Sequence, residues 1–378
     1  MLGEPNYALS FSDEQAMILK TAREFCREKS SIASVRALVQ TDRGFDSAIW
    51  NEMAGLGWLG AAIPEEFGGF DLGMGSLVPI AESMGRYLLS TPFTSTALAA
   101  QALLRAGTTA QKKAWLPKIA DGVIGTLALL DDEDWGSDSI AASVDDAGDG
   151  LVLNGTKWLV ADAGASEFFI VSANFRNAPA MVIVDRERLK ADAVNRHVLI
   201  DETKRAFKVD FSGVVVKESE LLEPASSAAA LRDLGLLGAL LTAAEATGSA
   251  AAALDITVEY LKTRTQFGSF IGSYQALKHP TVEMLNQMEA ARSHVYHAAT
   301  LVGDQPLDTD MEIACRMSKA QAAEALLFAG DRAVQFHGGM GFTYECDAQL
   351  YIRRAQWSQQ QFGDAYHHRK RLAALLLD

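Results

Sequence analysis

The apolar residues of this 378-residue chain change their period twice, and those two changes constrain the fold more than any single motif. Over residues 12–120 they recur at helical spacing, as in AMILKTAREFCREKSSIASVRALV and SLVPIAESMGRYLL, with proline and glycine mostly between such runs. From about Gly125 the pattern becomes alternation and short apolar runs: GTLALL, GLVLNGTKWLVA, EFFIVSA, AMVIVD and FKVDFSGVVV. That is the period of strands. After Glu223 the helical period returns and lasts to the end, in segments starting near Ser227, His279, Asp308 and Tyr344. The fold class is therefore α+β: a helical domain over 1–124, an open β-sandwich-like or barrel-like domain over 125–226, and a helical bundle over 227–378. Two local features sharpen the picture. Leu56 to Gly75, with Pro64 and the Gly68-Gly69 pair, predicts a fixed loop, and Asn154-Gly155 predicts a hairpin turn.

Charge narrows the function classes. The chain carries 34 Lys+Arg against 48 Asp+Glu, a net charge of −14, which argues against a partner recognised through a phosphate backbone. No nucleic acid is expected. No apolar run approaches the length of a bilayer span, and the N-terminus has neither a basic region nor an apolar core, so the chain reads as cytoplasmic with no membrane span. Cys26, Cys315 and Cys346 have no CxxC spacing, so neither a disulfide framework nor a metal site is expected. They read as buried small side chains or surface thiols.

Familiar catalytic signatures are absent: there is no GxGxxG after a strand, no GxxxxGK[ST], no HExxH and no GxSxG. The useful pair is TRTQFG, from Thr263 to Gly268, and QFHGGMGF, from Gln335 to Phe342. Arg264 can neutralise a phosphate, while Gly338, Gly339 and Gly341 let backbone amides approach an anion closely. Taken alone, Arg264 reads rather as a solvated charge at a helix end.

These segments, together with LGWLGAAIPEEFGGFDLG, NGTKW, YLKTRTQFGSFIGSYQALKH and QFHGGMGFTYECDAQLYIRRA, make the whole chain resemble an acyl-CoA dehydrogenase. The resemblance implies a helical domain, a β domain and a C-terminal four-helix bundle. It also implies FAD, oxidation of an acyl-CoA thioester to the 2-enoyl-CoA, and an electron-transfer flavoprotein as acceptor. In such enzymes FAD spans a subunit interface. The residues that match the half-site offered to the neighbour's flavin are Arg264, Gln266, Phe267, Gln275, Gln335, Gly338 and Gly339. Trp158 matches a flavin-flanking tryptophan, and Ser137 matches a position near the substrate's pantetheine arm.

The departures are equally informative. At the family's usual base position stands Phe362, in QQFGDAYHH, and its second base position aligns with Gly238. Neither can take a proton. Glu245 lies seven residues beyond Gly238, nearly on the same helix face, in the almost uncharged run LGALLTAAEATGSAAAAL. A carboxylate there must be paired or functional, and a pKa raised by burial would suit a general base, which makes Glu245 the candidate catalytic residue. Its alternative is a structural ion pair or an exposed face. Asp364 and Glu345 are weaker candidates, Asp364 reading as a helix cap, and His367 and His368 read as residues of a surface helix. Asp131-Asp132-Glu133-Asp134-Trp135 replaces the family's usual run before Gly136-Ser137-Asp138, and Val160 stands where a flavin-bonding Thr is usual. A half-site intact for a neighbour beside an altered half-site of its own resembles subunits of heteromeric acyl-CoA dehydrogenases for steroid side-chain or pimeloyl-CoA substrates. A homotetramer and an α2β2 heterotetramer with a paralogous subunit are both compatible. The two functional expectations are thus a catalytic subunit using Glu245, and a structural subunit that completes a catalytic partner's FAD site.

Overall fold

The computed structural model describes residues 13–136, 139–148, 150–303 and 306–377. The first helical part comprises α1 (Asp13–Lys29), α2 (Ile32–Val39), α3 (Ser47–Gly55), α4 (Leu77–Tyr87), α5 (Phe93–Ala106) and α6 (Thr109–Ala120). Local chemistry sets several of these ends. The Asp46 carboxylate accepts the Ala48 amide at the start of α3, and Thr108 and Gln111 form a reciprocal capping box on α6. The segment expected as a fixed loop contains three 3-10 turns, Trp58–Gly60, Glu65–Phe67 and Met74–Ser76. Its Trp58, Leu59, Ile63 and Phe67 are buried, which holds the segment in place without a long helix.

The middle of the chain forms β1 (Gly125–Ala128), β2 (Ser143–Asp146), β3 (Leu151–Asn154), β4 (Thr156–Ala161), β5 (Phe168–Phe175), β6 (Ala178–Asp185), β7 (Val194–Arg196), β8 (Ala206–Asp210) and β9 (Val214–Val216). One sheet has the order β1-β5-β2-β3-β9, with β6 also paired to β5, and a second has the order β4-β8-β7. Valines and phenylalanines from both, among them Val144, Phe169, Val171, Phe207 and Phe211, form a shared core between the sheets.

The hairpin expected at Asn154-Gly155 does not form. β3 pairs with β2 and β9, whereas β4 pairs with β8. Gly155, at φ 140°, is a corner through which the chain leaves one sheet for the other, a conformation that a side chain resists for the same reason that it favours a tight turn.

The remainder comprises α7 (Pro224–Thr263), α8 (Gln275–Leu301), α9 (Thr309–Phe336), α10 (Ala348–Ser358) and α11 (Ala365–Leu377), with a short ribbon of β10 (Thr265–Gln266) and β11 (Ser269–Phe270) after α7. The 40-residue α7 starts on Pro224, where a missing N–H costs nothing, and its alanine- and leucine-rich middle is buried all round. Among the described residues it is the one helix long and apolar enough to cross a membrane, and most of that stretch is buried inside the protein. α4 crosses it at two glycines: a Cβ on Gly85 would lie 1.9 Å from the Glu245 carbonyl oxygen, and one on Gly248 would lie 1.9 Å from that of Glu82. No larger residue fits either place.

Candidate functional site

The two segments singled out in the sequence meet at one end of the bundle. The turn after α7 brings Arg264, Gln266 and Phe267 opposite Gly338 and Gly339, around a cavity of about 560 Å³ whose walls also include Tyr260, Tyr274, His337 and Met340. Phe267 and Gly268 sit at φ 53° and 78°, the positive values of a two-residue ribbon turn. A phenylalanine resists that conformation, yet here it leaves the ring 92% exposed, which is the arrangement of a side chain offered to something outside the chain. His337 stacks on Tyr260 with ring centres 4.2 Å apart, and its Nδ1 lies 2.7 Å from the Ala333 carbonyl. A Cβ on Gly338 or Gly339 would meet nothing within 4 Å, so their backbone is open to a ligand. No carboxylate pairs with Arg264 among the described residues, which leaves its charge for an anion.

Gln275, at the first turn of α8, and Gln335, in the last turn of α9, lie next to this wall but are exposed and do not line it. Sequence reasoning missed Tyr260, Tyr274 and His337. Tyr260 lies one helical turn before Arg264, a spacing that puts both on one face and could have flagged it.

The other end is built differently. Phe362, at φ 56°, packs so closely on α7 that a Cβ on Gly238 would lie 2.3 Å from its ring. One aromatic ring thus occupies the space at both positions where the resemblance led us to expect a base. Trp135 lies against that ring, with centres 4.3 Å apart, and its indole N–H donates to Gln361 Oε1 at 3.3 Å. The loop is clamped from behind: Lys319 Nζ donates to the carbonyls of Gln359 and Gly363, and His368 Nε2 donates to that of Phe362. Burial lowers the Lys319 ammonium to about 7 and the His368 imidazole to about 3. His368 is therefore neutral and buried, contrary to the surface position expected for it, because this carbonyl draws its ring inward. Asp364 does cap a helix, accepting the His367 amide at 2.7 Å at the start of α11, and Glu345 is exposed.

On the far side of Trp135 is a cavity of about 290 Å³ lined by Glu133, Asp134, Leu159, Trp357 and Asp364, among others. Among the described residues three carboxylates and no lysine or arginine face it, a poor environment for a pyrophosphate. Trp158 stands nearby between His197, edge-on at 5.3 Å, and the Lys208 ammonium at 4.2 Å, and its amide donates to Leu130 across the two sheets. Ser137 lies outside the described residues.

Glu245 is not isolated. Its Oε1 lies 2.5 Å from both Arg354 Nη1 and Lys204 Nζ, and Arg354 also binds Asp201 and Thr203 Oγ1. Burial pushes the carboxyl up, but Lys204 and Arg354 outweigh it and hold Glu245 below its ordinary value. The raised pKa expected of it is thus corrected: the sequence run around Glu245 is uncharged, but its cations come from α10 and from the segment between β7 and β8. Glu245 lies about 10 Å along the helix axis from Gly238, at 1.5 Å per residue, and lines none of the cavities above.

Comparison with known proteins identifies the family. The family models for the acyl-CoA dehydrogenase N-terminal and C-terminal domains match residues 12–123 and 236–377. The chain belongs to the acyl-CoA dehydrogenase family. It is 31% identical over 350 residues to acyl-CoA dehydrogenase IpdE2 of Mycobacterium tuberculosis, covering 92% of each chain. It is 30% identical to the IpdE2 of Mycolicibacterium smegmatis, covering 96% of this chain and 99% of that one. Among solved structures, a variant of the Tcur3481-Tcur3483 steroid ACAD shares 28% identity at a TM-score of 0.84, covering 96% of this chain and 98% of the other. The ChsE4-ChsE5 complex of Mycobacterium tuberculosis shares the fold at a TM-score of 0.87 and 22% identity, covering 98% of both chains. The helical, β and helical order read from the sequence is that of this dehydrogenase fold.

Proposed function

We propose that this chain is one subunit of a heteromeric, FAD-dependent acyl-CoA dehydrogenase, in which it supplies the Arg264 and Gly338-Gly339 half-site to the flavin of a paralogous catalytic subunit. The observation that carries this reading is the contrast between its two ends. One end offers an unpaired guanidinium, open glycine backbone and aromatic walls, which fit the phosphates and adenine of FAD. The other has a phenyl ring at the base position and an acidic pocket, which fit neither the isoalloxazine-bearing half of FAD nor a proton acceptor. Bound FAD supplies the acceptor for the substrate's hydride. This chain's residues hold its anionic part: Arg264 counters the phosphates, and the amides after His337 donate to their oxygens.

Glu245 serves in this reading as a brace, since a carboxylate already shared by two cations is a weak acceptor for a carbon-bound proton. The substrate of the assembly is a bulky acyl-CoA of the steroid-derived class, a reading supported by the likeness to the steroid ACAD. Electrons leave to an electron-transfer flavoprotein. The test is spectroscopic. The chain expressed alone should be colourless, and co-expression with a paralogous dehydrogenase chain should give a yellow complex whose flavin content Arg264→Ala lowers. A chain that purifies alone with stoichiometric FAD, bleached by acyl-CoA, would overturn the proposal.

A further inference from the structure

All three parts of the chain meet at Asp162, a titratable group with no role in the flavin half-site. It follows β4 at φ 54°, a left-handed conformation that aspartate tolerates. Its backbone is held on both sides: its amide donates to the Arg205 carbonyl at 3.1 Å, and its own carbonyl accepts the amides of Ala165 and Ser166 at 2.9 and 3.2 Å. A backbone so fixed limits where the carboxyl can go. The residue is half-buried, and its Oδ2 lies 2.7 Å from the Oγ of Ser95 on α5, which is 5% exposed.

The hydrogens at this contact can be placed in two ways. Ser95 Oγ lies within donating distance of two acceptors, Asp162 Oδ2 at 2.7 Å and the Pro92 carbonyl at 3.0 Å, and a hydroxyl has a single hydrogen to give. With a proton on Asp162, the acid donates to Ser95 and Ser95 donates to Pro92, so both contacts are hydrogen bonds. With Asp162 ionised, Ser95 turns to the carboxylate; Pro92 loses that donor but keeps the Thr96 amide at 3.0 Å. The same heavy atoms serve both arrangements, so the proton can come and go without a change of fold.

Charge determines what else responds. The groups around Asp162 are Lys204 and Arg205 from the segment before β8, Glu245 from α7, and Arg186, which donates to the adjacent Ala163 carbonyl. Arg205 is committed to backbone carbonyls, among them those of Leu38, Thr41 and Glu202. Lys204 is freer: its ammonium is 20% exposed, and its one ion pair among the described residues is with Glu245, which also has Arg354. Arg354 in turn keeps Asp201. Lys204 is therefore the cation that a second carboxylate can share. Burial of the carboxyl raises Asp162 to about 6, which puts both of its forms within reach of neutral pH.

We propose that Ser95 and Asp162 form a proton-operated switch between the helical parts and the β domain. With the proton on Asp162, Ser95 bonds the Pro92 carbonyl and Lys204 is left to Glu245; with the proton gone, Ser95 turns to Asp162 and Lys204 is shared between the Asp162 and Glu245 carboxylates. α5 and the segment before β8 are then both tied to Asp162 by its charge, whichever chain carries the flavin.

The test uses the full chain, alone or in its complex, with each variant compared to the parent in the same form. Infrared difference spectra between pH 5 and pH 8 read the proton. The parent should lose a carboxylic acid C=O band that Asp162→Asn does not show, because the asparagine amide donates to Ser95 permanently. Thermal unfolding reads the cation: Lys204→Met should lower the melting temperature more at pH 8 than at pH 5 in the parent, and equally at both in the Asp162→Asn background. Ser95→Ala changes no charge and serves even if Asp162→Asn does not fold; it removes the donor to the ionised carboxyl and should move the midpoint of the band to higher pH. Identical infrared differences for parent and Asp162→Asn would overturn the proposal, as would a midpoint unmoved by Ser95→Ala. So would a Lys204→Met loss that does not depend on pH, or one that depends on it as strongly without Asp162 as with it.

Discussion

Replacing Glu245 by Gln separates a brace from a base by its effect on folding. The substitution keeps the shape and removes the charge, so Arg354 and Lys204 lose their shared carboxylate in a buried place. Breaking a buried ion pair from one side costs about 3–5 kcal/mol. The lower end applies here, because Arg354 keeps Asp201 and Thr203, and Lys204 is 20% exposed and can turn to solvent. With an unfolding entropy near 2.1 cal/mol/K per residue, a 378-residue chain has about 0.8 kcal/mol/K, so a loss of about 3 kcal/mol lowers the melting temperature by about 4 °C. Thermal unfolding followed by circular dichroism at pH 7 measures this directly. A cycle with Lys204→Met checks the cause: the double variant should lose less than the two single losses summed, since the contact can be lost only once. A Glu245→Gln protein that melts with its parent but no longer lets acyl-CoA bleach bound flavin would refute the brace and restore Glu245 as the base.

Other perturbations follow from the same structure. Gly238→Ala drives a methyl into the Phe362 ring and should cost about 1–3 kcal/mol, a loss that disappears in the Phe362→Ala background when both are compared by denaturant unfolding. Glu245, Asp201 and Glu82 are all held below their ordinary values of 4.5, 3.8 and 4.5, so the stability they provide is complete above that range and is lost as the pH falls through their lower folded values; melting temperature should drop steeply on acidification below about pH 4.5. Asp162 has the opposite sign: burial raises it to about 6, so its favourable contribution is present below 3.8 and is lost as the pH rises through 6. Asp162→Asn should therefore raise the melting temperature at pH 8 more than at pH 4.

The order of helical, β and helical parts was legible because burial imprints its period directly on the sequence: α7 is apolar on every face, and β5 is nearly continuous in apolar residues. Asn154-Gly155 misled because the dipeptide reports only a local willingness to turn, and which strands then pair is decided by the two-sheet core. The meeting of Arg264 with Gly338 and Gly339 around one cavity was legible because these residues sit in two short contiguous segments. Glu245 was not: its meaning depends on Arg354 and Lys204, far away in the chain, and one-dimensional neighbours carry no trace of them. The same holds for His368, whose burial is set by a carbonyl six residues earlier in a loop that periodicity does not describe.

The length of α7 sets a rule for how this chain can change. Gly238, Glu245 and Arg264 are carried on, or at the end of, one continuous helix, and from Gly238 to Arg264 the rise is about 39 Å at 1.5 Å per residue. Deleting one residue between them would turn everything downstream by about 100°, carrying Arg264 away from Gly338 while Phe362 stays seated on Gly238. Side chains at one end can be exchanged without any consequence at the other, but the count of residues between them cannot. The helix is a ruler, so the residue opposite Phe362 can change at one end while Arg264 still stands at the height of Gly338 at the other.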